Sequence, residues 1–299
     1  MPQELIVFIK HWINGVQVGS IYALVALGYT MVYGIVKLIN FAHGDFIMVG
    51  AYAALFSIPV LTGIGLPAWL CVFVAVAACA LLGVVTEKVA YKPLRNSPRI
   101  SALITAIAVS LLLQNLFMVC FTSSPRPFPE IFHVPDLRLG SIQINGVAVL
   151  TIVLSAVLMI ALQLFVQKTK LGRAMRAVSE DSEAASLMGI SVNRTISMTF
   201  AIGSGLAAVA SVMYGSVYPL IDPYMGSMLG LKAFIAAVLG GIGIIPGAML
   251  GGLVIGLVES LTKAYINTQL ADAVVFGILI LVLIIKPEGI FGKNIGEKV

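Results

Sequence analysis

Apolar stretches, each close to the length that crosses a bilayer, recur along almost the whole chain. A hydrocarbon core about 30 Å thick needs roughly 20 apolar residues per helix. On that measure the pattern predicts about eight membrane segments, at 15–36, 46–61, 66–85, 101–121, 147–166, 196–218, 233–258 and 273–285. Two of them are irregular. Segment 46–61 is short for a full crossing. Segment 233–258 is long and is interrupted at 239–252 by LGGIGIIPGAMLGG, which brings Gly240, Gly241, Gly243, Pro246 and Gly247 close together. Such backbone predicts a broken helix or a re-entrant turn, tolerated at membrane depth only where protein or a cavity surrounds it. Interrupted segments in both halves of one chain point to a transport pathway. The fold class expected is an all-α polytopic membrane protein, a single membrane domain over residues 1–299.

Several glycines fall four apart: Gly15 and Gly19, Gly226 and Gly230, Gly243 and Gly247, Gly247 and Gly251, Gly252 and Gly256. Small residues at that spacing let helix backbones approach closely, which helices in lipid need because lipid offers no hydrophobic drive to associate. GGIGIIPG lacks the Gly-Lys-Ser/Thr ending of a phosphate-cradling loop.

Composition narrows the class. The 299 residues are 60 % hydrophobic and 10 % charged, against roughly 25 % charge in soluble domains. The net charge of +5 is no argument for nucleic acid, because Lys and Arg gather in short loops, the mark of cytoplasmic loops beside anionic lipid. Loop 87–99 carries Lys88, Lys92, Arg95 and Arg99, and loop 167–194 carries Lys168, Lys170, Arg173, Arg176 and Arg194. Both are expected inside, with the proline-rich loop 123–146 and the stretch YPLIDPYMGS at 218–227 outside. If 233–258 re-enters from outside, the tail with Lys286, Lys293 and Lys298 returns to the cytoplasm. No cleavable signal is expected at the start. Cys71, Cys79 and Cys120 lie in apolar runs and read as small buried hydrophobes. His11, His43 and His133 are far apart, and no HExxH motif or nucleophile triad occurs. No metal, cofactor or catalytic residue is expected.

Polar residues inside apolar segments are costly, about 2.5–3.5 kcal/mol for a charge on insertion scales. INFAHGDFIMVGAY at 39–52 holds Asn40, His43, Gly44 and Asp45 directly after Lys37. Two readings stay open. Asn40 caps a helix that starts at Phe41, with Asp45 at its positive end; or these side chains line a pathway or gate. Gln114 and Asn115, like Gln17, hydrogen-bond across helices or line the same pathway. A route for a zwitterion suits dipoles and helix ends better than a deep, unpaired Asp. Glu259 and Lys263, four apart, suit a helical ion pair, while Lys232 and Asp272 are expected to snorkel or cap at span ends.

The loop QKTKLGRAMRAVSEDSEAASLMGISVNR, 167–194, has helical punctuation. Ser179 or Ser182 is expected to cap a short helix, Glu183 suits its first turn, Ala184, Ala185 and Met188 give it a small apolar face, and Gly189 stops it. The acidic trio Glu180, Asp181 and Glu183 makes this helix better suited to a partner protein than to anionic lipid.

Glu183-Ala184-Ala185, then Gly189 after three residues, resembles the EAA loop of permease subunits in ABC importers. TKLGRAMRAVSEDSEAASLMGI, VYGIVKLINFAHGDFIMVGAY, GLKAFIAAVLGGIGIIPGAMLGGLVIGLVE and KPEGIFG together resemble the permeases for branched-chain amino acids, in order and over most of the chain. The Ile-x-Leu-Pro that ends the wider EAA pattern is replaced here by ISVNRTISM. The resemblance implies an ABC importer permease fold in a bacterial inner (cytoplasmic) membrane. It implies two ABC ATPase subunits, a homologous second permease, a substrate-binding protein and membrane lipid as partners. It implies that Glu183, Ala184, Ala185 and Gly189 couple to the ATPase. Asp222 and Tyr224, on the external side, are candidates for contact with the binding protein. The chain has no Gly-x4-Gly-Lys-Ser/Thr of its own, so ATP hydrolysis is expected in the partners. Related permeases carry urea or short amides, which is one alternative; a secondary transporter independent of ATP is another.

Overall fold

The structure, a computed structural model, describes residues 3–95, 97–140 and 142–292. Its α-helices are α1 (Gln3–Val36), α2 (His43–Gly63), α3 (Cys71–Thr86), α4 (Arg99–Phe121), α5 (Gly146–Lys168), α6 (Lys170–Glu180), α7 (Ser182–Leu187), α8 (Val192–Val217), α9 (Met225–Gly240), α10 (Ile245–Tyr265) and α11 (Ala271–Ile285). Among the described residues, seven helices are long and apolar enough to cross a membrane: α1, α2, α3 with its flanking turns, α4, α5, α8 and α10. α9 and α11 are apolar but shorter. Four short strands form two antiparallel pairs: β1 (Arg126–Pro127) with β4 (Leu220–Ile221), and β2 (Leu137–Leu139) with β3 (Ile142–Ile144).

The predicted segment 233–258 is two antiparallel helices. The expectation began it after Lys232, but α9 starts at Met225 and carries Lys232 at its centre. The helix breaks at 241–244, where Gly241 and Gly243 have φ of 99° and 96°, a left-handed backbone open to glycine at no steric cost. Pro246 then sits in the first turn of α10, where its missing N–H costs no helical bond. α9 and α10 touch through backbone: a Cβ on Gly240 or Gly247 would overlap the other's carbonyl, and one on Gly251 would overlap Ala236 O.

α1 is the axis. It is buried from Gln17 to Val32 and packs against α10, α8, α5 and α9. Its contact with α10 has no side chains between the backbones. A Cβ on Gly19 would lie 2.9 Å from Gly252 O, one on Gly252 would lie 2.5 Å from Ala23 Cα, and one on Gly256 would overlap Gly19. α4 and α5 lie outside this core with Ile104, Leu112, Val119, Val153 and Ile160 exposed. Helices apolar on the outside as well as the inside suit a lipid surround. Cys71 and Cys79 are buried as expected, whereas Cys120 is exposed on α4.

The two ends differ. One, the basic end, carries α6, α7 and the turns at 87–95. Gly243 and Ile245 border a cavity there with Arg176 and Ser179, so the 241–244 break lies at this end. After α11 the chain is strapped to the same end: Ile290 N–H donates to Leu239 O at 2.8 Å and Phe291 N–H to Gly240 O at 3.3 Å. Lys286 is therefore at the basic end; Lys293 and Lys298 lie outside the described residues. The opposite end carries the β2–β3 hairpin, the start of α1 and the end of α10, where Ser260 Oγ donates to His11 O at 2.8 Å.

Gly256→Val is expected to overpack the α1–α10 contact, at a cost of about 1–3 kcal/mol. Thermal unfolding of detergent-purified protein should show the loss. Gly277→Ala, whose Cβ meets nothing within 4 Å, should leave the transition unmoved.

Candidate functional site

At the basic end, α6 and α7 form a compact helical corner. Thr169 Oγ1 accepts from Gly172 N–H at 3.0 Å and caps α6. The cap of α7 is neither Ser179 nor Ser182. Ser182 is the first helical residue, and the Ser179 hydroxyl donates to Arg176 O at 2.7 Å. Asp181 takes the position instead, its Oδ1 accepting from Glu183 N–H and Ala184 N–H, both at 2.9 Å. Its extended backbone suits an N-cap, and its charge suits the positive helix end. Gly189, at φ 83°, ends the helix, with Ile190 N–H donating to Ala185 O at 3.0 Å.

Of the small apolar face, only Ala185 turns inward. It joins a buried cluster with Val178, Tyr91, Ile196 and Phe200. Glu183 and Ala184 are exposed, and Leu187 and Met188 are 89 % and 82 % exposed. One methyl thus anchors a helix whose outer face presents two large apolar side chains beside an acid.

The polar residues of 40–45 do not act together. α2 starts at His43, not Phe41, and its N-cap Ala42 has no side-chain bond. The Asn40 side chain accepts from Tyr91 Oη–H at 2.8 Å, tying the loop before α2 to the turn at 87–91. His43 is buried beside Gly28 and Tyr29, with ring centroids 4.7 Å apart in the second pair. Gly44 and Asp45 face elsewhere. Gly44 meets the backbone of α9: its Cβ would stand 2.5 Å from Gly226 O. Asp45, in the first turn of α2 and 1 % exposed, accepts from Gln114 Nε2 at 2.9 Å. The same amide approaches Ser227 Oγ at 3.0 Å and Ser110 Oγ at 3.2 Å. Asn115 is apart from this group, donating back to Leu111 O on an exposed face of α4.

A cavity of about 190 Å³ opens at Asp45, bordered by Gly44, Tyr29, Ser110, Ser227 and the apolar Phe41, Ile107, Leu111 and Leu231. It lies well inside the slab. Gln114 is seven residues, about 10 Å, from the far end of α4, and Tyr29 is as far from the basic end of α1.

A second charged group joins residues expected to act separately. Glu259 pairs with Lys263 at 2.5 Å, as its i, i+4 spacing predicts, and also with buried Lys232 at 2.9 Å. Lys232 reaches Asp272 at 2.7 Å, and Tyr22 Oη–H donates to Glu259 at 2.6 Å. Lys232 is buried at the centre of α9 and therefore does not snorkel, while Asp272 keeps an end position in the first turn of α11, 43 % exposed; together they link α1, α9, α10 and α11. At the basic end, Arg95 binds Glu87, which also accepts from Ser197 Oγ–H at 2.6 Å. Asp222 and Tyr224 sit beside β4, where Asp222 Oδ1 accepts from Tyr224 N–H at 2.8 Å.

The geometry is that of a polytopic helical membrane protein with a small cavity at membrane depth and an anchored, projecting helix at its basic end. The family model for the permease component of branched-chain amino acid transport systems matches residues 12–283, and the chain belongs to that family. It is 44 % identical, over the whole of both chains, to the high-affinity branched-chain amino acid transport system permease protein LivH of Escherichia coli (strain K12). It is 43 % identical, again over the whole of both, to the corresponding protein BraD of Pseudomonas aeruginosa. Among solved structures it is similar to PsaBC from Streptococcus pneumoniae in complex with Fab, with a TM-score of 0.48, 14 % identity and coverage of 93 % of this chain and 91 % of that one.

Two stability outcomes are expected. Asp181→Ala should cost α7 about 1 kcal/mol and speed hydrogen exchange at 182–189, while Asp181→Asn should not. Glu259→Ala, which strands buried Lys232, should cost about 3–5 kcal/mol. Glu259→Met with Lys232→Met should recover most of the lost thermal stability, because Asp272 keeps access to water.

Proposed function

We propose that the chain is the membrane permease subunit of an ATP-driven importer of branched-chain amino acids, seated in the bacterial inner membrane. The observation that carries this reading is α7: a capped helix, fixed by Ala185, that leaves Leu187 and Met188 almost fully exposed beside Glu183. Exposed apolar side chains beside Glu180, Asp181 and Glu183 suit a protein partner better than anionic lipid. Two ABC ATPase subunits are the partners proposed, with α7 seated in one of them and Gly189 setting its end. Full-length similarity to branched-chain amino acid permeases supports the substrate class.

A second, homologous permease completes the pathway on the face of α4 and α9. A substrate-binding protein docks at the opposite end near Asp222 and Tyr224. Closure of the ATPase pair moves α7 and shifts the permease between two arrangements, each favoured by a different ligand state. Gly44, Asp45 and Gln114 belong to the pathway in this reading. Asn40 and His43 support it from behind, and Asn115 faces the surround. The Gly240–Gly247 contact keeps the broken helix rigid.

Affinity purification of the tagged chain from detergent-solubilised native membranes, followed by mass spectrometry, tests the assembly. Two ATPases and a second permease should co-purify. Leu187→Arg or Gly189→Trp should release the ATPases and leave the permease pair intact. A chain recovered alone, with vesicle uptake that needs no ATP, would sink the proposal.

A further inference from the structure

The cavity at Asp45 has the chemistry of an α-amino acid site, and we infer that it binds the substrate zwitterion in transit, Asp45 receiving the α-ammonium and the Ser227 hydroxyl the α-carboxylate. This rests on the importer reading and adds the residues that recognise the cargo.

The acceptor comes first. A carboxylate offers about four acceptor positions; the Gln114 amide fills one of Asp45's, at 2.9 Å. Asp45 is 1 % exposed yet borders the cavity, so its remaining acceptor capacity is directed at whatever enters. The Gln114 amide and the first turn of α2 both favour its carboxylate form. That partnership also tempers it. An unpaired buried Asp would grip an ammonium too firmly to let it go; one already compensated by an amide and a helix end binds and releases.

The donor follows. Ser227 Oγ accepts from Gln114 Nε2 at 3.0 Å and so keeps its own O–H to give. It stands in the first turn of α9, whose positive end favours a carboxylate. One amide thus orients an acceptor and a donor on two different helices, and both border one cavity. The backbones of those helices meet at Gly44 and Gly226, which fixes the spacing of acceptor and donor. The rest of the wall is aliphatic and aromatic: Phe41, Ile107, Leu111 and Leu231. A volume of about 190 Å³ is far above the ~15 Å³ one water requires. A metal cation fits poorly, because one carboxylate is its only anionic ligand and the α9 end repels it.

The test uses the assembled complex, permease pair with ATPases, in nanodiscs without binding protein. Radiolabelled leucine is displaced by leucine, by 4-methylpentanoic acid, which lacks the ammonium, and by isopentylamine, which lacks the carboxylate. The native complex should prefer leucine at least tenfold over either. Asp45→Asn should weaken leucine at least tenfold and bring it level with 4-methylpentanoic acid. Ser227→Ala should bring leucine level with isopentylamine, and it answers the question alone if Asp45→Asn does not assemble. Unchanged selectivity in either variant, or no leucine binding by a complex that still imports with ATP, overturns the site and leaves the importer reading standing. Uptake that needs no ATP overturns the importer reading itself.

Discussion

Lipid gives two helices no hydrophobic reason to associate, so what holds this molecule together is how closely its backbones approach. Among the contacts with glycine on both sides are Gly19 with Gly252 and Gly256, Gly240 with Gly247, and Gly44 with Gly226 and Gly230. The first locks α1 to α10. The second closes the α9–α10 hairpin. The third crosses the starts of α2 and α9, and the other two fix where α9 can lie. The Asp45 cavity exists because that third contact brings two helix beginnings together at membrane depth, where neither has side chains to fill the space beside it.

The same solvent decides the fate of every charge. In hydrocarbon a charged side chain finds a protein partner or leaves. Glu259 collects Lys232, Lys263 and Tyr22; Glu87 collects Arg95 and Ser197; Asp45 takes the Gln114 amide. Each group draws on different helices, so partnering a charge also pins helices to one another. The three clusters differ in what they leave over. Two are closed by opposite charge. Asp45 alone has only neutral partners, and the cavity it borders also holds the Ser110 and Ser227 hydroxyls of two other helices.

Hydropathy made the spans legible, because apolar length is a direct reading of bilayer thickness. It misplaced the start of α9, since Lys232 looks like a boundary until Glu259 and Asp272 stand beside it. Cap chemistry was half legible. Gly189 needs its left-handed backbone and was readable from type and place. Asp181 lost out to Ser179 and Ser182 because several good caps stood within four residues and only backbone geometry chooses among them. The polar stretch 40–45 was visible as an anomaly but not as a site. Asn40 and Asp45 are five residues apart across the start of α2, and partners from distant elements, Tyr91 and Gln114, determine which way each turns. Ser227 gave no signal at all, because it closes the stretch 218–227, which reads as external until a helix from elsewhere meets it.

The buried cluster that anchors α7 also reaches the start of α2. Ala185 packs with Tyr91 and Phe200, and Tyr91 holds Asn40, three residues before α2 begins. Contact of this kind carries movement only through an element with two arrangements. The segment between α1 and α2 is suited to that role. Residues 37–42 are non-helical, and Lys37 holds φ at 56°, a left-handed backbone that costs a side-chain-bearing residue about 1–2 kcal/mol. Releasing Lys37 from that conformation would offset part of the work of moving α2. In the importer we propose, a push on α7 would reach the loop before α2 through Ala185, Tyr91 and Asn40.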